Sequence, residues 1–140
     1  MAKPKQKTRT TKARLKTAPK ATAATVVTVH GLAPFGLVET GPGRYSLLLT
    51  QFEPASEVFD AAGVEGGGYS WAGVARHVTT VVAPELAEGV GFDPEASMFC
   101  AYGEDRGALE RLGVELARLF HDKAALAAVI EEVGPDGFED

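Results

Sequence analysis

Cysteine is nearly missing from this sequence: Cys100 is the only one in 140 residues. A lone thiol forms no intrachain disulfide and no cysteine-based zinc site, which makes a reducing cytosol the simplest home. Histidine is almost as scarce, with His30, His77 and His121 carrying neither an HExxH pattern nor a short His-x-His or His/Cys spacing. Any metal site would have to be assembled from distant positions, so neither metal nor cofactor is expected. No apolar run approaches the ~18 to 20 residues that span a bilayer. The longest uncharged stretch starts at Ala21, stops before Glu39 and is broken by Thr, His, Gly and Pro. The N-terminus is basic as a signal peptide is, but Ala18 to Thr25 offers only Ala, Pro, Lys and Thr where an apolar core should follow. A membrane span is excluded and signal-peptide secretion disfavoured. An organelle transit segment is disfavoured too, because such segments prefer Arg and an amphipathic stripe. The expected location is cytoplasmic.

Acid is absent from residues 1 to 20, which hold eight bases: Lys3, Lys5, Lys7, Arg9, Lys12, Arg14, Lys16 and Lys20. The remaining 120 residues hold the other six bases and all nineteen acids, a formal −13, so the overall −5 averages two opposite segments. Up to about residue 24 the composition is Lys, Thr, Ala, Pro and Arg with a single Leu15. That is too little apolar surface to offset the entropy of ordering, so 1–24 reads as a disordered, self-repelling basic tail. Residues 25–140, about 115 long in a chain that is 45% apolar, suit a single domain.

Within that body, Val26 to His30 is short and β-branched, a strand. Leu37 to Glu39 and Arg44 to Phe52 flank the turn signal Gly41-Pro42-Gly43. They read as a hairpin at the centre of the sheet, with Tyr45, Leu47 and Leu49 alternating onto one face. Pro54 to Ala62 reads as a short helix stopped by Gly63. After Gly66-Gly67-Gly68, the spacing of Trp71, Val74, Val78 and Val81 predicts a helix capped by Ser70 and ended by Pro84, with a β-prone Thr79 to Val82 end. Phe92 to Glu95 reads as a turn, and Ser97 to Tyr102 as a largely apolar strand buried on both faces or nearly so.

Two helices follow. One carries the stripe Leu109, Leu112, Leu116, Leu119 and Phe120 behind Glu104 and Asp105; the other is capped by Asp122, lined by Leu126, Val129, Ile130 and Val133, and stopped by Gly134-Pro135. Strands and helices mix without a βαβ rhythm. The expected fold class is α+β, a small antiparallel sheet packed with three to five helices.

Catalytic constellations are hard to assemble from this material. Cys100, between Phe99 and Ala101, reads as a buried inert thiol rather than a nucleophile. The glycine triplet lacks the lysine of a phosphate-binding loop, and Gly89-Val90-Gly91 does not join a strand to a helix, so both read as backbone devices. Asp93 and Glu95 are too close in sequence to straddle a substrate as a general acid/base pair. With no nameable nucleophile, base and orienting group, the chain reads as a non-enzyme.

What is abundant is negative charge: eleven acids lie between Gly31 and Asp105 against only Arg44 and Arg76. Such a field steers a basic protein partner and repels nucleic acid, which the tail alone is suited to hold. The tail has no interleaved aromatic residue, hence no stacking platform for bases.

Three strings in order, RYSLLLTQF, GGGYSWAGVARHV and FDPEASMFCAYGEDRGALERLGVEL, resemble the immunity protein 51 family of bacterial polymorphic toxin systems. The family pattern is a strand ending near a Phe, a Gly-x-Gly-Tyr-x-Trp segment opening a helix, and an FDPEA-x-MF strand before a charged helix. It falls here on Phe52; on Gly66, Gly68, Tyr69 and Trp71; and on Phe92 to Ala96, Met98 and Phe99. The likeness spans roughly 35 to 130 and departs from the pattern at Gly67 and Ser70. It implies a cytosolic protein that binds a cognate toxin and blocks it without catalysis, the oligomeric state being open. Glu65, Asp93 and Glu95 are the expected acidic contacts. Tyr69, with its polar tip, suits a partner-facing rim, whereas Trp71 leads a core stripe. The alternative is a nucleic-acid-associated adaptor working through its tail.

Overall fold

The structure, a computed structural model, describes residues 25–138, so the expected tail at 1–24 lies outside the described residues. Five strands form one antiparallel sheet: β1 (Thr25–Val27), β2 (Gly36–Gly41), β3 (Arg44–Leu49), β4 (Gly91–Phe92) and β5 (Phe99–Gly103), in the spatial order β1-β2-β3-β5-β4. The β2–β3 hairpin turns at Gly43, whose φ of 73° is the left-handed conformation that glycine adopts without strain. β3 is the central strand, as the hairpin reading expects. The first strand is shorter than its β-branched sequence suggests. Val27 pairs with Leu37, one residue past the start of β2, so the chain beyond Val27 has almost no partner left and turns away.

Four α-helices accompany the sheet: α1 (Ser56–Ala61), α2 (Gly68–His77), α3 (Arg106–Phe120) and α4 (Lys123–Val133). A π-helical turn (Val78–Val82) and two 3-10 turns (Pro84–Gly89, Pro135–Phe138) complete the α+β fold. Helix α3 starts where Asp105 accepts the Ala108 N–H at 3.1 Å, and α4 where Asp122 accepts the Ala125 N–H at 3.1 Å. Each cap stabilises its helix by about 1 kcal/mol. All five stripe residues of α3 are buried; on α4, Leu126 and Ile130 are buried while Val129 and Val133 are half-buried.

Helix α2 departs from expectation at both ends. It begins at Gly68, and Ser70 lies inside it, buried, its hydroxyl accepting the Gly66 N–H at 2.9 Å instead of capping. At the other end the Thr79 and Thr80 hydroxyls both donate back to the Arg76 carbonyl, and the Ala83 N–H reaches the Val78 carbonyl at 2.8 Å. This wider turn breaks the 3.6-residue register. Trp71, Val74 and Val78 stay in the core, whereas Val81 swings out to 60% exposure.

One core lies between the helices and the sheet. Trp71 stacks on Phe120 with ring centroids 5.8 Å apart and meets Phe35 and Phe59 edge-on at 5.5 Å each. Leu37, Leu47, Leu49, Phe99 and Ala101 form the sheet's contribution, all essentially inaccessible. Helix α3 approaches so closely that a Cβ on Gly113 would lie 2.3 Å from Leu32 Cδ1 and 2.9 Å from Leu47 Cδ1. The helices pack on one another and on this inner face; among the described residues none covers the opposite face. No described helix is long and apolar enough to cross a membrane.

Candidate partner-binding surface

The glycine triplet and the FDPEA segment, 25 residues apart in sequence, meet backbone to backbone. Asp93 continues the β4–β5 ladder by donating its N–H to the Cys100 carbonyl at 3.0 Å. Glu95 and Met98 then exchange two backbone bonds of 2.8 and 3.1 Å, closing a tight turn. The first turn of α2 sits on that turn: the Gly68 N–H donates to the Ala96 carbonyl at 3.1 Å. A Cβ on Gly68 would lie 1.8 Å from the Glu95 carbonyl oxygen and 2.3 Å from that of Met98, and one on Gly67 2.5 Å from that of Ala96. Gly66 adds a φ of 88°, so the triplet supplies one left-handed residue and two close approaches. The reading of the triplet as a backbone device holds.

The four expected contact residues fall into two pairs on either side of this joint. Glu65 and half-buried Tyr69 line a small depression with Gly63, Val64, Ser70, Pro135 and Phe138, on the helical side. Asp93 and Glu95 are exposed on the sheet side. Side chains alternate along strands, and directly paired residues share a face. Leu47 faces α3, so its partners Leu37 and Ala101, and Phe92 beyond, face inward too. The adjacent row, Val26, Val38, Ser46, Tyr102 and Gly91, therefore faces outward, as do Leu48, Cys100, Asp93, Met98 and Glu95.

This outer face is largely apolar. Val26 is 73% exposed and Tyr102 48%, with Val38, Ser46 and Leu48 half-buried. The Tyr102 ring lies across Gly91, where a Cβ would come 2.6 Å from Cζ, so the missing side chain creates the seat for the ring. Ser97 to Tyr102 reads as buried on both faces or nearly so; the observed strand starts at Phe99, with Phe99, Cys100 and Ala101 buried, and the departure is Tyr102, 48% exposed on the outer face. Val26 and Tyr102 were not singled out from sequence; a tyrosine ending an apolar strand beside Glu104 and Asp105 was the available signal.

Cys100 lies in the outer row with only 9% of its surface accessible. Burial pushes its thiol up to about 11, and the nearby Asp93 and Glu95 carboxylates push the same way against a lowering hydrogen bond with Ser46. A thiol so disfavoured from ionising is a poor nucleophile. Asp93 and Glu95 have no cationic side-chain partner among the described residues, whereas Glu57, Glu85, Glu110, Glu115 and Glu132 are paired with Lys123, Arg111, Arg106, Arg118 and His77 respectively. The histidines are dispersed: His30 is exposed, His77 reaches Glu132 at 3.2 Å, and the His121 Nε2 sits 2.9 Å from the Ala33 carbonyl. No cluster of three or more candidate metal ligands occurs among the described residues.

These features define a small α+β protein whose sheet is covered by helices on one side and presents apolar and unpaired acidic groups on the other. A family model described as Immunity protein 51 matches residues 35–135, most of the chain, and the chain belongs to that family. Membership implies an immunity protein directed against a toxin. No curated protein and no solved structure matches the chain.

Proposed function

We propose that this protein neutralises a cognate toxin domain by binding it stoichiometrically in the cytosol, without catalysis. Membership in the Immunity protein 51 family over residues 35–135 carries the reading. The charge of the body supports it: with −13 outside the first twenty residues, association with a basic toxin is accelerated at low salt and contact with nucleic acid is disfavoured. Asp93 and Glu95 are exposed and have no cationic partner among the described residues, as groups that meet a partner's cations would. We carry Glu65 and Tyr69 forward as contacts on the helical side of the same joint. The alternative of a nucleic-acid adaptor rested on residues outside the described ones, and no structural observation favours it.

Co-expression with the toxin domain encoded beside this chain tests the proposal. Cells survive and the two proteins co-elute one to one if it holds. Death at equal expression, or survival with no complex, refutes inhibition by binding.

A further inference from the structure

We propose that the toxin docks on the uncovered face of the sheet, with Tyr102 as its aromatic anchor, Leu48 diagonal to it, Val38 and Val26 two and three strands further along the same row, and Asp93 and Glu95 as an acidic rim. This inference rests on the proposed function and adds which surface of the protein does the binding. Three observations converge on this face. It belongs to a sheet whose other side carries the core residues Leu37, Leu47, Leu49, Phe99 and Ala101, yet it holds a 73% exposed valine and a half-exposed tyrosine. Its aromatic ring occupies the space that a side chain on Gly91 would need, so part of the ring is packed before any partner arrives and less freedom remains to be lost on binding. The two carboxylates at its β4 end, close enough to Cys100 to raise the pKa of its thiol, are free of intramolecular cations among the described residues.

The occupant that fits is a protein surface offering apolar side chains beside lysines or arginines. Aromatic anchors in a patch edged by complementary charge are how tight interfaces concentrate their energy. A second copy of this chain fits worse, since each copy would bring a body of −13 and the same Asp93 and Glu95. The 22 residues of the five strands, each covering about 4.8 Å by about 3.3 Å, give a face of about 350 Å², near half of one partner's share in a standard interface of ~800 Å² per side. The face can hold the centre of the contact, with neighbouring loops completing it.

The test measures binding of the purified toxin domain encoded beside this chain to full-length wild type and variants. Tyr102→Ala should weaken the complex about 30-fold or more, the loss typical of a central aromatic anchor. Val26→Lys, at a position exposed enough to leave the fold intact, should weaken it at least tenfold by facing a basic partner with a like charge. Asp93→Asn with Glu95→Gln should slow association severalfold and flatten its salt dependence, whereas Tyr69→Ala with Glu65→Gln, at contacts beyond the sheet face, should cost less affinity than either Tyr102→Ala or Val26→Lys. Thermal melts of the free variants separate lost contacts from lost fold.

If wild type binds but Tyr69→Ala costs more than both Tyr102→Ala and Val26→Lys, the toxin docks on the helical side and this inference falls while the immunity reading stands. Wild type that does not bind the toxin removes both. A wild-type dimer that Val26→Lys splits would put a second copy on the face, and cross-links from the N-terminal lysines to Asp93 or Glu95 in the free chain would put the tail there; either result overturns the proposal.

Discussion

Replacing Gly68 with Ala tests the joint that holds the glycine segment to the FDPEA turn. The added methyl would sit 1.8 Å from the Glu95 carbonyl oxygen and 2.3 Å from that of Met98, both backbone atoms that cannot rotate aside. Restoring a contact near 3 Å requires α2 and the turn to part by at least about 1 Å, a small-to-large strain that costs typically ~1–3 kcal/mol. The same displacement stretches the 3.1 Å bond from the Gly68 N–H to the Ala96 carbonyl beyond hydrogen-bonding range. The segment around it is buried, so leaving that donor unsatisfied costs a further ~1–3 kcal/mol. Against these stands the helix preference of Ala over Gly, at most ~1 kcal/mol and less in the first turn.

The net loss is about 1–6 kcal/mol, centred near 3, from a total that for such a domain is ~5–15 kcal/mol. At roughly 4 °C per kcal/mol for this size, Tm should fall by about 10 °C, readable by circular dichroism or calorimetry. Gly107→Ala is the internal control. It lies at the second residue of α3, and its Cβ would meet nothing closer than Asp105 Oδ1 at 3.5 Å, so it should be neutral or stabilise by up to ~1 kcal/mol. If Gly68→Ala melts within about 2 °C of Gly107→Ala, the close-approach reasoning is wrong.

Trp71→Ala should cost ~3–5 kcal/mol, because the ring is fully buried among Phe35, Phe59 and Phe120. Trp71→Phe should cost far less than Ala, since it keeps most of the ring and removes a buried indole N–H with no hydrogen-bond partner among the described residues; urea titration followed by far-UV dichroism separates the two. Cys100 should react with thiol reagents slowly, its thiolate fraction at pH 8 about a hundredfold below that of a thiol at 9.0, given a pKa of about 11; labelling as fast as in the urea-unfolded chain would contradict its burial. The same shift favours the folded state fully below pH 9, and that contribution is lost as pH climbs from 9.0 towards about 11, so the urea midpoint should fall over that window and fall less in Cys100→Ala. Asp105→Ala and Asp122→Ala should each lower stability by about 1 kcal/mol through loss of their caps, and a change below ~0.3 kcal/mol in both would show that the caps do not matter here.

Local chemistry made most of the fold legible. Asp105 and Asp122 were readable as caps because a carboxylate before an apolar stripe has one obvious use. The stripe from Leu109 to Phe120 was readable because no other period fits it. Where residues served two masters the reading slipped. Ser70 looks like a cap because it precedes an apolar run, but its hydroxyl holds the Gly66 N–H four residues back, in a segment whose position is set by the docking of Gly67 and Gly68 on the Glu95 to Met98 turn. Val81 looked like core because the 3.6-residue period was extended through two threonines whose hydroxyls, bonding back to Arg76, widen the helix there. The strand ending in Tyr102 looks covered on both faces or nearly so because an apolar run does not say whether a second layer exists. That depends on where the helices are spent, and the described ones pack on one another and on the other side.

The three strings that carry the family likeness turn out to be joints of the frame. RYSLLL supplies the central strand, and Phe99 to Gly103 pairs with it residue for residue. The glycines before Tyr69 let α2 close on the turn of Glu95 to Met98. Trp71 fills the core that this closure creates. A pattern made of close approaches and buried rings specifies a shape, and many partners could be met by one shape if the exposed residues differed. The outer face is where such differences would be cheap: Val26 and Tyr102 are exposed enough that substitutions there cost little stability, typically within ~0.5 kcal/mol for surface positions. A residue such as Gly68 is fixed by the frame, whereas Tyr102 has far less of its surface committed to the chain itself. If the toxin docks on the outer face as proposed, the motifs build the platform, and the choice of toxin would lie in the side chains the platform displays.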